Sequence, residues 1–398
     1  MKRKQINLKR IATVVLTAIM VMSLVACGSS AGNTDDANPS GDPIRIGLSA
    51  TLTGASAMEG EHVRNGVELA VTEKNAAGGL LGRPIELVVL DDQKDNTVMV
   101  NVANNLVSQE VCSVIGPATS SGALAVSQIY IDAQIPFITA GTSPNLRKSV
   151  LEEGNEWMFM CRPNDSLQAH ASAAYILQEL EDVTTVGMLY VNNDFGQGAM
   201  TVIKDVLEDG GIEFLAETYN AGDADVSGQI LNLMKNGMEA FVFWADSDYV
   251  LVARQTYELG VDVPIVASPA ATVPALRDMC EPEWIEGFII ATDVDFKSTE
   301  PHIADFVKAY EAEYNVELDL HASGGYTGAL ILFAAIEQAG SDDPLAIRDA
   351  LAQLKGVVTP NDPNAYIDSA HCFCHQSNIV EIDDNRTPVL KTVIRVDE

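Results

Sequence analysis

At 398 residues the chain exceeds the usual size of one compact core, and 47% hydrophobic residues with few aromatics suit a soluble globular protein of two lobes. Its 56 acidic against 24 basic residues give a formal charge of −32, a surface that repels nucleic acid and gives no reason to expect a polyanionic partner. The charge says little about a small ligand, because a closed cleft answers to its own few groups.

Lys2, Arg3, Lys4, Lys9 and Arg10 precede an apolar run over 11–25, and Leu24-Val25-Ala26 leads directly into Cys27. A basic start, a short apolar stretch and small residues on both sides of a cysteine form a bacterial lipoprotein export signal over 1–26. The mature chain is expected to begin at a lipidated Cys27 outside the cytoplasmic membrane, with no ATP supply. Residues 27–43 carry no large apolar side chain after the cysteine and read as a flexible linker between lipid and domain. No later stretch is apolar enough to span a bilayer.

From residue 44 onward strands and helices alternate. A strand over 44–49 precedes a helix over 60–75, whose Val63, Val67, Leu69, Ala70 and Val71 supply a buried side. Ala76-Ala77-Gly78-Gly79 stops that helix, and Gly82-Arg83-Pro84 turns the chain into a strand over 85–91. A helix over 97–110, a strand over 111–115, a helix over 121–133 and a strand over 136–139 follow. Four strands separated by helices of this length predict a parallel sheet wrapped on both sides.

The pattern begins again with helices over 168–180, 197–209, 227–236 and 249–259. Between and after them lie strands over 185–191, 213–219, 240–244 and 264–267, a second lobe on the plan of the first. A further strand follows Gly287, then helices over 301–314, 325–339 and 344–354, then short terminal strands. Three long helices without intervening strands cannot make a third sheet, so they are expected to cross back and cover lobe one.

Of six cysteines, Cys27 is consumed by lipid and five remain, an odd number that implies no disulfide framework. His371-Cys372-Phe373-Cys374-His375 resembles a metal cluster. On a terminal strand, however, its cysteines face one side and its histidines the other, so buried thiols are the expected role and no metal is assigned.

Ligands of open parallel sheets bind beyond the carboxyl ends of the strands. In lobe one two loops there are rich in small hydroxyl residues, Gly116-Pro117-Ala118-Thr119-Ser120-Ser121-Gly122 and Thr139-Ala140-Gly141-Thr142-Ser143-Pro144. Each runs into a helix start, where unpaired N–H groups favour an anion. Together they make a candidate carboxylate seat, with Ala118, Ser120, Gly141, Thr142 and Ser143 as its residues; helix capping is the competing role for each hydroxyl.

Several landmarks recur in a fixed order: Leu52-Thr53-Gly54, Asn65-Gly66-Val67-Glu68-Leu69-Ala70, Asn75-Ala76-Ala77-Gly78-Gly79, Asp91-Asp92, Val114-Ile115-Gly116, Asn193-Asp194-Phe195-Gly196, and Tyr326 ahead of Ala339-Gly340-Ser341. By these the chain resembles the Leu/Ile/Val-binding family of type I periplasmic solute-binding proteins, which serve ABC importers, from Ile44 nearly to its end. The resemblance implies an α/β fold of two Rossmann-like lobes with parallel sheets, joined by a three-stranded hinge that closes on the ligand. Lobe one is expected over 44–162 and 291–368, lobe two over 163–290 and 369–398. It further implies that Ser120, Gly141 and Thr142 hold the ligand carboxylate and that Phe195, where the family often has tyrosine, covers an apolar side chain.

One departure bears on the ligand. Where amino-acid binders carry a glutamate for the ligand ammonium, this chain reads Ser268-Pro269-Ala270. A buried ammonium needs a partner, so either Glu59, Asp246 or Asp248 replaces that acid or the ligand has no amine. Enzymatic sites are missing from the sequence: it has no nucleophile elbow, zinc helix or phosphate loop, and Gly78, Gly79 and Gly82 follow a helix where a dinucleotide cradle would follow a strand.

The sequence therefore predicts a monomeric, lipid-anchored binder on the extracellular face of a Gram-positive cell. It takes a small carboxylate-bearing ligand, an apolar or branched-chain amino acid, to an ABC permease and its ATPase subunits, with no cofactor and no catalysis. An amine-free or aromatic carboxylate, a short amide, or ligand sensing for a receptor are the alternatives.

Overall fold

A computed structural model describes residues 39–54, 56–246 and 248–395. The expected export signal, Cys27 as the expected lipidation site and most of the expected linker lie outside the described residues. Among the described residues no helix is long and apolar enough to cross a membrane.

The first sheet contains β1 (Ile44–Ala50), β2 (Ile85–Asp91), β3 (Ser113–Ile115), β4 (Phe137–Thr139) and β5 (Met158–Met160) in the order β2-β1-β3-β4-β5, all parallel. Its crossovers are helices: α1 (Ala57–Ala76), α2 (Asn96–Ser108), α3 (Ser120–Ala133) and α4 (Pro144–Leu151). Ile44, Ile46 and Leu48 of β1 pack into one core with Val67 and Ala70 of α1, while Val114 and Phe137 join a second core with Met99, Leu106 and Tyr130. Coverage of both faces explains why these strands read as short apolar runs. The sheet has one strand more than expected, β5.

The second sheet runs β14-β13-β10-β9-β8-β6-β7. It comprises β6 (Thr185–Val191), β7 (Glu213–Tyr219), β8 (Ala240–Trp244), β9 (Ile265–Ala267), β10 (Ile289–Thr292), β13 (Gln376–Ile382) and β14 (Pro388–Arg395), the last two antiparallel. Helices α5 (Asp165–Glu179), α6 (Asp194–Asp209), α7 (Ser227–Lys235) and α8 (Tyr249–Glu258) flank it, with short α9 (Pro274–Arg277) and α10 (Pro282–Ile285) before β10. Along β8, Ala240, Val242 and Trp244 enter one core while Phe241 and Phe243 enter the other, the two-residue period of a strand covered on both faces.

Beyond β10 come α11 (Pro301–Tyr314), α12 (Leu320–Ala339) and α13 (Pro344–Leu351), then the small hairpin of β11 (Lys355–Val357) and β12 (Ala365–Tyr366). These three helices return to lobe one as expected: Ile331, Leu332 and Ile336 of α12 and Ile347 and Leu351 of α13 share a core with β1 and α1, and Phe306 and Tyr310 of α11 cluster with Leu69 of α1. Two glycines set the crossing of α1 and α12. A Cβ on Gly66 would stand 2.2 Å from the Ala322 carbonyl oxygen, and one on Gly325 would stand 2.3 Å from that of Val63. No side chain fits at either position.

Residues 371–375 are not the strand the sequence suggested. They form an irregular crossover touching β5 through a single bridge, Met160 to Cys372, before β13 begins. His371 takes a left-handed φ of 60° and stacks on Phe159 at 4.6 Å, and His375 stacks on Tyr366 at 3.9 Å. Both cysteines of the motif are buried, as expected of packed thiols.

Candidate functional site

The chain passes between the two sheets three times, between β5 and α5, between β10 and α11, and between β12 and β13, so the carboxyl ends of the strands face a shared cleft. Beside the cleft the lobes touch: Arg277 of α9 donates to Glu317, ahead of α12, at 3.2 Å.

On the lobe-one wall the two hydroxyl-rich loops join at one atom. Ser120 Oγ accepts the backbone N–H groups of both Thr142 and Ser143, each at 3.1 Å. The Thr139 hydroxyl donates to the Pro117 carbonyl at 2.7 Å and accepts the Gly141 N–H at 2.9 Å, which holds the loops together a second time. Gly141 is needed for this contact, since a Cβ there would meet the Ser120 backbone at 3.1 Å. Thr119 caps α3 by accepting from Gly122, and Ser143 caps α4 by accepting from Asn145. Capping and the joining of the two loops thus coexist.

The N–H groups of Gly141, Thr142 and Ser143 are therefore spent inside lobe one. Among the described residues the N–H groups of Ser120 and Ser121, the first two of α3, have no acceptor. With the Ser120 hydroxyl hydrogen they are the donors left at a helix start where the dipole favours an anion. Ala118 lies between this start and the cis Gly116-Pro117 bond, partly buried against the lobe-one core.

Glu59, in the first turn of α1, is engaged by Lys94: Nζ stands 2.9 Å from Glu59 Oε2 and donates to Ser56 Oγ at 2.8 Å. The loop carrying Lys94 is held in an uncommon backbone. Gln93 and Lys94 have φ of 56° and 54°, and their N–H groups donate to Asp91 and Asp92 at 3.0 Å. The same two acids accept from Leu52 N, Thr53 Oγ1, Ser49 Oγ and Thr51 Oγ1, which binds the end of β1 and the loop after it to the end of β2. The Asp91-Asp92 pair singled out in the sequence thus acts as a clamp.

On the lobe-two wall, Asp246 follows β8 and is exposed to the cleft. Among the described residues no donor satisfies its carboxylate. Surrounding protein pushes its pKa up, Lys94 and His321 of lobe one pull it down, and Glu59 and Asp248 push it up again. Charges of both lobes therefore act on Asp246. His321 is itself held by Asp319, its Nδ1 3.1 Å from Oδ2. Asp248 accepts the Gly222 N–H at 3.3 Å and is engaged within lobe two. Phe195, in the first turn of α6, is half-buried with its ring 5.8 Å from Trp244. Ser268 is turned away from any ligand role, since its hydroxyl donates to the Ala245 carbonyl at 2.6 Å.

Sequence reasoning missed Asp165, at the start of α5 in the first crossover. Burial pushes its pKa up to about 6, against the Thr142 side chain and Arg162, while Asp293 and Asp246 add to the rise. It also missed Lys94, whose place depends on a partner 35 residues away.

Comparison with known proteins bears on the cleft as a whole. The family model described as periplasmic binding protein matches residues 43–387. The chain is 30% identical over 315 residues to a Leu/Ile/Val-binding protein homolog 2 of Brucella abortus, covering 78% of this chain and 82% of that one. Its fold is similar to that of the branched-chain amino acid transporter substrate binding protein LivJ from Streptococcus pneumoniae in complex with isoleucine, with a TM-score of 0.77, 23% identity and coverage of 89% and 99% of the two chains. A solute binding protein of an ABC transporter from Rhodopseudomonas palustris in complex with 3,4-dihydroxy benzoic acid has the same fold at a TM-score of 0.76, with 17% identity and coverage of 89% and 96%.

Proposed function

Because this chain belongs to the periplasmic binding protein family, we propose that it is a lipid-anchored receptor that captures an amino acid between its lobes and delivers it to an ABC permease. The observation that carries this reading is the joint at Ser120, where two loops are tied by one hydroxyl and two N–H groups of α3 are left for a carboxylate. The ligand ammonium goes to Asp246, the exposed acid of the opposite wall that no donor among the described residues satisfies. Lys94 already engages Glu59, which favours Asp246 over Glu59 for that role. Phe195 covers the ligand on closure.

In this cycle lobe one, residues 44–162 and 291–368, swings against lobe two, residues 163–290 and 369–398, about the three crossovers. Binding shifts the population to the closed form, and no bond is made or broken. The protein works as a monomer on the outer face of a Gram-positive membrane, held by lipid on Cys27, and hydrolysis by the ATPase subunits powers release into the permease.

Thermal unfolding of the chain, refolded to strip carried-over ligand, tests the reading against the natural amino acids and a panel of amine-free and aromatic carboxylates. A raised midpoint with amino acids supports it. A rise confined to amine-free acids gives the site to a different carboxylate, the reading favoured by Ser268 standing where amino-acid binders have an acid. No rise with either panel removes the assignment.

A further inference from the structure

The ion pair of Lys94 and Glu59 is a polar feature of the cleft that the proposed function leaves without a role. Lys94 occupies a left-handed conformation, as does the residue before it, and neither is glycine. Such backbone is costly for a residue other than glycine and persists where surrounding contacts impose it, often at functional positions. Here the imposing contacts are the carboxylates of half-buried Asp91 and buried Asp92, in a network that reaches Ser49 of β1 and three residues of the loop after it. The clamp fixes the backbone from which the Lys94 ammonium reaches Glu59 and Ser56.

That place adjoins the carboxylate seat. Asn96, two residues beyond Lys94, accepts from the Ser121 hydroxyl at 3.5 Å, and Ser121 is the second residue of α3. Across the cleft the pair faces the wall that carries Asp246. A ligand with its carboxylate at Ser120 and its ammonium at Asp246 therefore extends its side chain past Lys94 and Glu59. An aliphatic tip there would strip water from an ion pair and return no hydrogen bond, a cost that selects against such ligands. A carboxamide returns both: its carbonyl oxygen accepts from an ammonium and its NH2 donates to a carboxylate. A neutral tip also leaves the charge of the pair balanced.

We propose that the Lys94 and Glu59 pair is a specificity device that selects an amino acid with an amide-tipped side chain over aliphatic ones. The inference rests on the proposed amino-acid-binding function.

Titration calorimetry of the ligand-free full chain with asparagine, glutamine, leucine and methionine tests it. The better of the two amides binds at least tenfold more tightly than leucine or methionine. Lys94→Met abolishes that ratio, and the double exchange Lys94→Glu with Glu59→Lys restores it, because the two groups trade places. Leucine or methionine binding as tightly as either amide overturns the inference and leaves amino-acid capture standing. An unchanged ratio in Lys94→Met, with all four ligands still bound, overturns it equally. Failure of every natural amino acid to bind removes the underlying function, and this inference with it.

Discussion

Arg162 and Asp293 form a two-pronged ion pair that joins the first crossover to the second, Nε to Oδ2 at 2.6 Å and Nη2 to Oδ1 at 3.2 Å. Asp293 is buried and also accepts from Gln168 of α5 at 2.6 Å and from Asn361 of the β11–β12 loop at 3.4 Å, so the first two passages and that loop meet at one carboxylate. Its backbone carbonyl accepts from Asn378 of β13 at 3.0 Å.

Removing one member of a buried, hydrogen-bonded pair costs about 3 to 5 kcal/mol, because the other charge is left without compensation. Arg162→Met is expected at the lower end, since Asp293 keeps Gln168 and Asn361. Asp293→Leu is expected to cost more, because three side chains lose their acceptor together. Urea unfolding of the two variants gives the order, and equal losses would mean that Asp293 is not the centre of the hinge.

Much of this architecture is legible in the sequence because both sheets are covered on both faces, and apolar runs alternating with amphipathic stretches follow from that. The fifth strand of lobe one is not: Met158-Phe159-Met160 has no β-branched residue and only three positions, and it pairs solely with β4 on its sheet. The hydroxyl-rich loops are legible as a pair, while their joint at Ser120 Oγ is not, since it depends on a register set by β3 and β4. Glu59 stands out as an acid in a loop after a strand, but its neutralisation by Lys94 requires the Asp91 and Asp92 clamp, which only long-range contacts reveal.

Ser120→Ala removes an acceptor of two N–H groups and a hydroxyl of the seat at once. Loss of the ligand contact lowers affinity by about 1 to 3 kcal/mol, and the orphaned Thr142 and Ser143 groups lower stability by about 1 to 2 kcal/mol. Calorimetry and denaturation on the same variant separate the two effects. Unchanged affinity with reduced stability would leave Ser120 a loop fastener only.

Asp246→Asn keeps the shape of the lobe-two wall and deletes its charge. For a ligand with an ammonium group, affinity drops by about 2 kcal/mol or more, whereas an amine-free analogue of the same ligand binds no worse. The ratio of the two dissociation constants is the readout. Equal effects on both ligands would take the ammonium away from Asp246.

Gly66→Ala tests the crossing of α1 and α12. The added carbon would overlap the Ala322 carbonyl oxygen at 2.2 Å and the Tyr326 nitrogen at 2.9 Å, so two helix backbones must separate. Ordinary overpacking costs about 1 to 3 kcal/mol, and backbone against backbone falls at or above the top of that range. A fall in melting temperature of several degrees or more is expected, and a neutral result would mean that the helices can part freely.

Asp165 gives the protein a pH dependence whose sign is opposite to that of most paired acids. It is 3% exposed, and its pKa of about 6 lies above the ordinary 3.8, so between these values the folded state binds more protons than the unfolded one. Stability must then fall as pH rises through this window, and the full loss is present above about pH 6. A shift of about two units is worth on the order of 2 to 3 kcal/mol. Asp165→Asn removes the ionisable group while keeping its size, so the variant should gain on the wild type by this amount between about pH 4 and about pH 8, whatever the other groups contribute to both. Urea unfolding of the pair across that range measures the difference. Parallel curves would mean that Asp165 ionises as easily in the folded chain as in the unfolded one, and that Arg162 and Thr142 fully offset its burial.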